Sequence, residues 1–204
     1  MTYKNAIILF LVFIIFSILV CTIKQISDFD TSTIIYIQNL MSNINSDIPV
    51  IAGGLAFYTI NIVPLVVCCL YFLRKKMYKN MVLFGAIPFL TYFLNSIIKW
   101  IANRPRPPIE LQFEEHMSSS SYVSRHTFIT ACLWGIFIYF VCKYCKNKPL
   151  RYLLIVLSVL WILFEGFTRV WSGVHNPTDV IGALILAIVF IMIYVRLIQK
   201  LQIK

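Results

Sequence analysis

Two histidines, one aspartate and a set of cations at fixed spacings carry the chemistry this sequence offers. Lys99 and Arg106 stand seven residues apart across a proline-broken turn; Ser124, Arg125 and His126 are consecutive; His175 follows Arg169 by six residues and Asp179 follows His175 by four. A guanidinium presents a planar fork to two phosphate oxygens and an ammonium adds a compact point charge, so Lys99 with Arg106 suits a dianion. An imidazole titrates near neutral pH, gives a proton to a leaving oxygen and then takes one from water. Ser124 stands where a helix begins, where it can cap the helix as well as touch a phosphate oxygen, and helix N-termini attract anions. If a further helix opens at Pro177, Asp179 can fold back onto one imidazole nitrogen of His175, fix the tautomer and sharpen the other nitrogen as a nucleophile. Taken singly, each piece has a plainer explanation. Lys99 can snorkel while Arg104 and Arg106 meet headgroups, His126 can be a bystander, and His175 with Asp179 can be a capping pair. Taken together they describe a site for handling phosphate.

The elements that must hold these residues are mostly hydrocarbon. The chain has 204 residues, 60% of them hydrophobic, and a mean hydropathy of +0.83. Apolar runs predict an all-α, polytopic membrane protein with six spans: Ala6 to about Ile23, about Val50 to Phe72, about Met81 to Ile98, about Thr127 to Val141, about Tyr152 to Thr168 and about Val180 to Leu197. One membrane-embedded domain over residues 1–204 follows, with no separate soluble domain. Between the first two spans, Ile34, Ile37, Met41 and Ile44 repeat at helical spacing within the polar stretch Thr31 to Asp47. That pattern predicts a short interfacial helix lying on the membrane surface. The loop from Ala102 to Arg125, with three prolines, Glu110, Glu114, Glu115, His116 and four serines, reads as a rim over the site. Loss of a small-residue cleavage site before Cys21 makes the first span an anchor rather than a secretory leader.

Charge placement explains the net charge of +10 without nucleic acid. Twelve of the 18 Lys and Arg fall at the N-terminus, after the second and fourth spans and after the sixth, with no acid among them. This is the positive-inside pattern, which puts both termini in the cytoplasm and the candidate site on the outer face. A nucleic-acid partner needs a basic stripe on a soluble surface, and these basic loops are short. The six cysteines lie in or beside apolar runs and form no disulfide framework, and Cys142 with Cys145 lacks a second pair of metal ligands. Ionisable residues at span ends rather than mid-span disfavour a transporter, the competing class along with a lipid-binding scaffold.

Three ordered motifs, Lys99-x6-Arg106-Pro107, Ser124-x-His126 and Arg169-x5-His175-x3-Asp179, resemble the three-part signature of the type 2 phosphatidic acid phosphatase superfamily. The resemblance implies six spans, an outward-facing site and a phosphohistidine route without metal or other cofactor. It implies His175 as nucleophile, Asp179 as its orienting partner and His126 as general acid. Lys99, Arg106 and Arg169, with Ser124, would hold the phosphoryl oxygens. Two residues of the second motif depart from the usual pattern, Val123 for Pro and Arg125 for Gly; in the third, Thr168 replaces Ser. Arg125 adds bulk and charge beside the phosphate, where it either recognises a second phosphate or points to solvent. Glu165, four residues before Arg169, is spaced to restrain it. The implied activity is hydrolysis of a lipid phosphate or diphosphate, with undecaprenyl diphosphate first and phosphatidylglycerol phosphate, phosphatidic acid, lipid A phosphates or transfer to another lipid as alternatives.

Overall fold

In the computed structural model, residues 3–114 and 120–202 are described, and every regular element among them is helical. Six helices are long and apolar enough to cross a membrane. They are α1 (Tyr3–Thr22), a composite helix over Asp47–Arg74, α5 (Tyr78–Ala102), α6 (Arg125–Tyr144), α7 (Lys148–Trp171) and α8 (Pro177–Gln202). The composite consists of α3 (Asp47–Ile51), a π-helical turn at Ala52–Ala56 and α4 (Phe57–Arg74). All six coincide with expected spans and run up to about a turn beyond them. The excess takes in charged residues: Lys99, Arg125 and Arg151 continue helices that hydropathy alone would end.

The interfacial segment needs a correction. A helix is present, α2, but it spans Lys24–Leu40 rather than Thr31 to Asp47. Only Ile23 separates it from α1, so the polar residues Lys24, Gln25 and Asp28 are helical instead of forming a loop. It ends before Ile44 because the asparagine-rich stretch turns: the Asn45 side chain accepts from the Asp47 amide at 2.8 Å and starts α3. Asp30, Ile34 and Ile37 then share the face that packs on α7 and α8, with Ile34 against Val170 and Val180.

Helix α6 sits at the centre, packed on α4, α5, α7 and α8. It is apolar on all sides, and 61% of its most apolar stretch is buried against 17% for α1, as expected of an inner and a peripheral helix. Phe128, Leu133, Ile136 and Phe140 of α6 meet Phe72 of α4, Phe84 and Ile87 of α5 and Ala187 of α8. The outward sides of α1, α4, α5 and α7 carry exposed Ile, Leu, Val and Phe, the composition of a surface solvated by hydrocarbon. One polar cluster inside the bundle is fully paired. Asn61 on α4 accepts from the Trp134 indole at 2.7 Å and the Trp161 indole at 3.3 Å and donates to the Thr130 hydroxyl at 3.0 Å, which ties α4, α6 and α7 together. Asn61→Leu is expected to leave these groups unsatisfied and to cost about 1–3 kcal/mol, read as a lower unfolding temperature in detergent.

Candidate functional site

Helix α5 delivers the first group of side chains and then stops. Asn103 takes a left-handed conformation with φ 40°, and the sequence Arg104-Pro105-Arg106-Pro107-Pro108 cannot continue the helix. Lys99, buried one turn before this end, donates to the carbonyls of Ser120 at 2.6 Å and Ser121 at 3.2 Å. The returning chain is held in place by the Ser121 amide on the Arg104 carbonyl at 2.8 Å. Arg106 donates to the carbonyl of Val174, beside His175. Burial draws the Arg106 guanidinium below its ordinary range, Asp179 opposes that shift, Arg125 adds to it and Glu114 opposes it. Lys99 is likewise within electrostatic reach of Arg106, Asp179 and Arg125. Lys99 and Arg106 of the first motif therefore lie near the aspartate of the third, and Arg125 of the second lies near both cations.

Helix α6 begins at the second motif. Ser124 occupies the N-cap position, but its hydroxyl pairs with that of Thr127 at 3.0 Å and makes no side-chain cap, contrary to the capping expected from sequence. The neighbouring threonine hydroxyl has taken the bond a backbone amide would have received. The Ser124 amide donates to the Asp179 carbonyl at 3.2 Å, which joins the starts of α6 and α8. The His126 ring packs edge-on against Phe57 of α4, centroids 4.2 Å apart. Arg125 does not extend into solvent: its guanidinium lies 4.4 Å over the Tyr92 ring and its Nε donates to Asn95 at 3.3 Å, both on α5.

The third motif spans the turn between α7 and α8. Gly173, at φ 71°, lies so close to the Leu111 carbonyl that a Cβ would sit 1.9 Å from it, and the His175 amide donates back to the Arg169 carbonyl at 3.1 Å. Pro177 opens α8. The Asp179 Oδ2 accepts from the Asn176 amide at 2.9 Å and lies 3.5 Å from His175 Nδ1. The carboxylate therefore caps its own helix and faces the imidazole, so the two explanations open from sequence are compatible. At 3.5 Å the contact is loose, as such pairs often are before substrate tightens them.

Arg169 stands in a closed seat. It is 1% exposed, donates to the Pro49 carbonyl at 2.6 Å, and meets Glu114 at 3.3 Å and Glu165 at 3.6 Å, the restraint its spacing predicts. Gly53, in the π-helical turn, makes the seat possible: a Cβ there would fall 1.4 Å from the guanidinium. Glu114 lies beside both Arg169 and Arg106, so the loop places a carboxylate between the cations of the first and third motifs. Glu115, His116, Ser118 and Ser119 lie outside the described residues.

Arg104, Asp30, Thr178, Asn95 and Gly53 are the residues the sequence did not single out for this site. Arg104 donates to Asp179 Oδ1, to Asp30 at 2.7 Å and to the Thr178 hydroxyl at 2.9 Å. Burial works against its charge, but Asp179 and Asp30 outweigh that and hold its pKa above the ordinary value. One signal was available. Asp30, Ile34 and Ile37 lie on one stripe of an amphipathic helix, and a carboxylate on the buried stripe calls for a cation.

A family model described as the PAP2 superfamily matches residues 80–203, the whole stretch that carries the three motifs. The chain belongs to the PAP2 superfamily. Phosphatidylglycerophosphatase B of Bacillus subtilis (strain 168) is 36% identical over 93 residues, 44% of this chain and 43% of that protein. Undecaprenyl-diphosphatase BcrC of the same organism is 24% identical over 160 residues, 76% of this chain and 78% of that protein. The chain thus spans less than half of the first relative and over three quarters of the second. A crystal structure described as the first transmembrane PAP2-type phosphatidylglycerolphosphate phosphatase, from Bacillus subtilis, superposes with a TM-score of 0.78 at 21% identity and covers 98% of each chain, which establishes the fold. This PAP2 protein is an integral membrane protein of six apolar helices.

Adjacent glycines give a test of the Arg169 seat. Gly53→Ala must evict a buried guanidinium from the Pro49 carbonyl and the Glu165 carboxylate, and is expected to cost about 1–3 kcal/mol. A Cβ at Gly54 meets nothing within 4 Å, so Gly54→Ala should be neutral or stabilising by up to about 1 kcal/mol. Thermal unfolding of the two variants in detergent separates these outcomes.

Proposed function

We propose that this PAP2 protein hydrolyses a lipid phosphate or diphosphate, with undecaprenyl diphosphate as first substrate, through a phosphohistidine and without a metal. The observation that carries the proposal is the placing of the His175–Asp179 pair beside Lys99 and Arg106, cations within electrostatic reach of Asp179 and of Arg125. Such a cluster is most stable with a multiply charged anion among its members, and phosphoryl transfer asks mainly for positioning and charge stabilisation.

The route follows from the atoms. Asp179 lies by Nδ1 of His175, which leaves Nε2 to attack phosphorus. The P–N bond forms as the P–O bond to the lipid or its terminal phosphate breaks, and His126 gives its proton to the departing oxygen. Water then attacks phosphorus, His126 takes the water proton, the P–N bond breaks and inorganic phosphate leaves. Lys99, Arg106, Arg169 and Ser124 hold the phosphoryl oxygens. Arg125 is the added cation that suits a diphosphate, and the relative named for undecaprenyl diphosphate covers most of this chain. The relative named for phosphatidylglycerophosphate makes that lipid the second candidate.

A lipid rather than a soluble ester fits the surroundings. A cavity of about 640 Å³ between α4, α5 and α6, lined by Phe57, Ile62, Leu65, Phe89, Tyr92 and Leu133, shares Phe57 with His126 and Tyr92 with Arg125. A hydrocarbon chain seated there would leave its phosphate among the cations. The site opens on the extracytoplasmic side and both termini are cytoplasmic, a topology supported by the basic clusters at the opposite helix ends.

Phosphate release in detergent from undecaprenyl diphosphate, phosphatidylglycerol phosphate and phosphatidic acid, each with chelator present, tests the proposal. Turnover is expected to resist chelator, to be fastest with the diphosphate and to fall by at least about 10³-fold in His175→Ala. Lys75→Ala, on an exposed residue at the opposite end of the bundle, should retain full rate. Equal losses in the two variants would overturn the site, and activity abolished by chelator would overturn the metal-free route.

A further inference from the structure

The Asp179 carboxylate is held by more than its own helix. Its Oδ1 accepts from Arg104, whose second nitrogen donates to Asp30 Oδ2 at 2.7 Å. Asp30 Oδ2 also accepts from the Thr178 hydroxyl at 2.6 Å, and its Oδ1 accepts from the Thr178 amide at 3.1 Å. The Thr178 hydroxyl in turn accepts from Arg104 at 2.9 Å. Asp30 and Asp179 are fully buried and Arg104 nearly so. Three elements meet here: α2 supplies Asp30, the chain after α5 supplies Arg104, and the first turn of α8 supplies Thr178 and Asp179. Asp30 makes these contacts from a helix that carries no family motif.

We infer that Asp30 is a positioning residue for the His175–Asp179 pair, orienting Asp179 through Arg104 and Thr178 and keeping its negative charge available to the imidazole. The inference rests on the reading of His175 as nucleophile. A guanidinium paired with Asp179 alone would form a neutral pair, and a neutral pair polarises an imidazole weakly. With Asp30 sharing the guanidinium, the hydrogen-bonded trio has two carboxylates to one cation and keeps a net negative charge next to His175. Lys99 and Arg106 also draw on the Asp179 charge, which makes the second carboxylate more necessary. The geometric part is equally direct. Arg104 grips one oxygen of Asp179, so the other is left directed at the Asn176 amide and His175 Nδ1. Buried polar networks of this kind fix orientation when every member is satisfied.

Asp30→Asn keeps the shape of the side chain and removes its charge. Its kcat for the lipid substrate is expected to fall roughly 10- to 100-fold, by analogy with the loss of an outer hydrogen-bond partner behind a metal-binding histidine, with KM within about twofold of wild type. The distinguishing measurement is the double variant Asp30→Asn with Arg104→Gln. It removes the guanidinium that Asp30→Asn leaves without its second carboxylate, so Asp179 keeps its negative charge, and kcat is expected to exceed that of Asp30→Asn alone by about threefold or more. A purely structural Asp30 predicts the opposite: a double variant no faster than the slower single one. Unchanged kcat in Asp30→Asn, a loss confined to KM, or a double variant without recovery would overturn the inference. If Asp30→Asn does not yield a monodisperse protein, Thr178→Val serves. It removes the hydroxyl between Asp30 and Arg104, and an unchanged kcat there overturns the inference as well. His175→Ala is run alongside. Turnover that survives it overturns the phosphohistidine reading and this inference together, whereas turnover lost in His175→Ala but retained in Asp30→Asn overturns the inference alone.

Discussion

A guanidinium withdrawn from water costs several kcal/mol unless opposite charge and hydrogen bonds surround it, and Arg104 is withdrawn almost completely. Its compensation determines much of the site end of the bundle. The two carboxylates that neutralise it come from α2 and α8, so α2 must fold back from α1 over the start of α8 instead of leaving the bundle. Once Asp30 reaches Thr178, the first turn of α8 is capped from outside as well as from within, and His175 has a fixed neighbour. The backbone carbonyl of the same arginine takes the Ser121 amide, which brings back the chain whose neighbouring carbonyls hold Lys99.

Arg169 repeats the rule with different partners. Its charge is met by Glu165 on its own helix, Glu114 from the loop and the Pro49 carbonyl from α3. The last of these requires the composite helix to approach α7 closely, and the π-helical turn with Gly53 supplies the gap. A π turn inside a helix commonly marks a functional position, and here its effect is specific: it admits a charged side chain that a regular helix bearing Cβ atoms would exclude. Two buried arginines thus recruit α2 and α3, two of the elements that lie outside the matched family region.

This division explains what was legible in the sequence. The six spans are written in hydropathy over windows as long as a bilayer is thick, and they were read to within about a turn. The three motifs are written in residue types whose chemistry is rare in apolar surroundings, so Lys99, Arg106, Ser124, His126, Arg169, His175 and Asp179 stand out as candidates from the sequence alone. What depends on contacts between distant segments was not. Asp30 lies 149 residues from Asp179, and Gly53 lies 116 from Arg169; no local pattern joins either pair. The sequence pattern sets helix α2 seven residues late because its first two turns are polar enough to resemble loop, although Asp30 within them is what docks it. Ser124 was given a cap that Thr127, three residues on, prevents.

The two departures of the second motif from the usual pattern, Val123 and Arg125, are accommodated by one residue. Asn95 on α5 donates its Nδ2 to the Val123 carbonyl at 3.1 Å and accepts the Arg125 Nε on its Oδ1 at 3.3 Å. An asparagine amide offers a donor and an acceptor on one rigid plane, so satisfying both ends fixes the backbone at 123 relative to the side chain at 125. Proline would set that turn through its own ring; here a buried amide 28 residues earlier, on α5, sets it instead. Tyr92, one turn below Asn95, takes the face of the guanidinium. The arginine is thereby held against α5, at the edge of the apolar cavity and within electrostatic reach of Lys99 and Arg106. In the proposed reaction this is the position from which a second phosphate would be met: outside the reacting group, between the cations and the lipid chain.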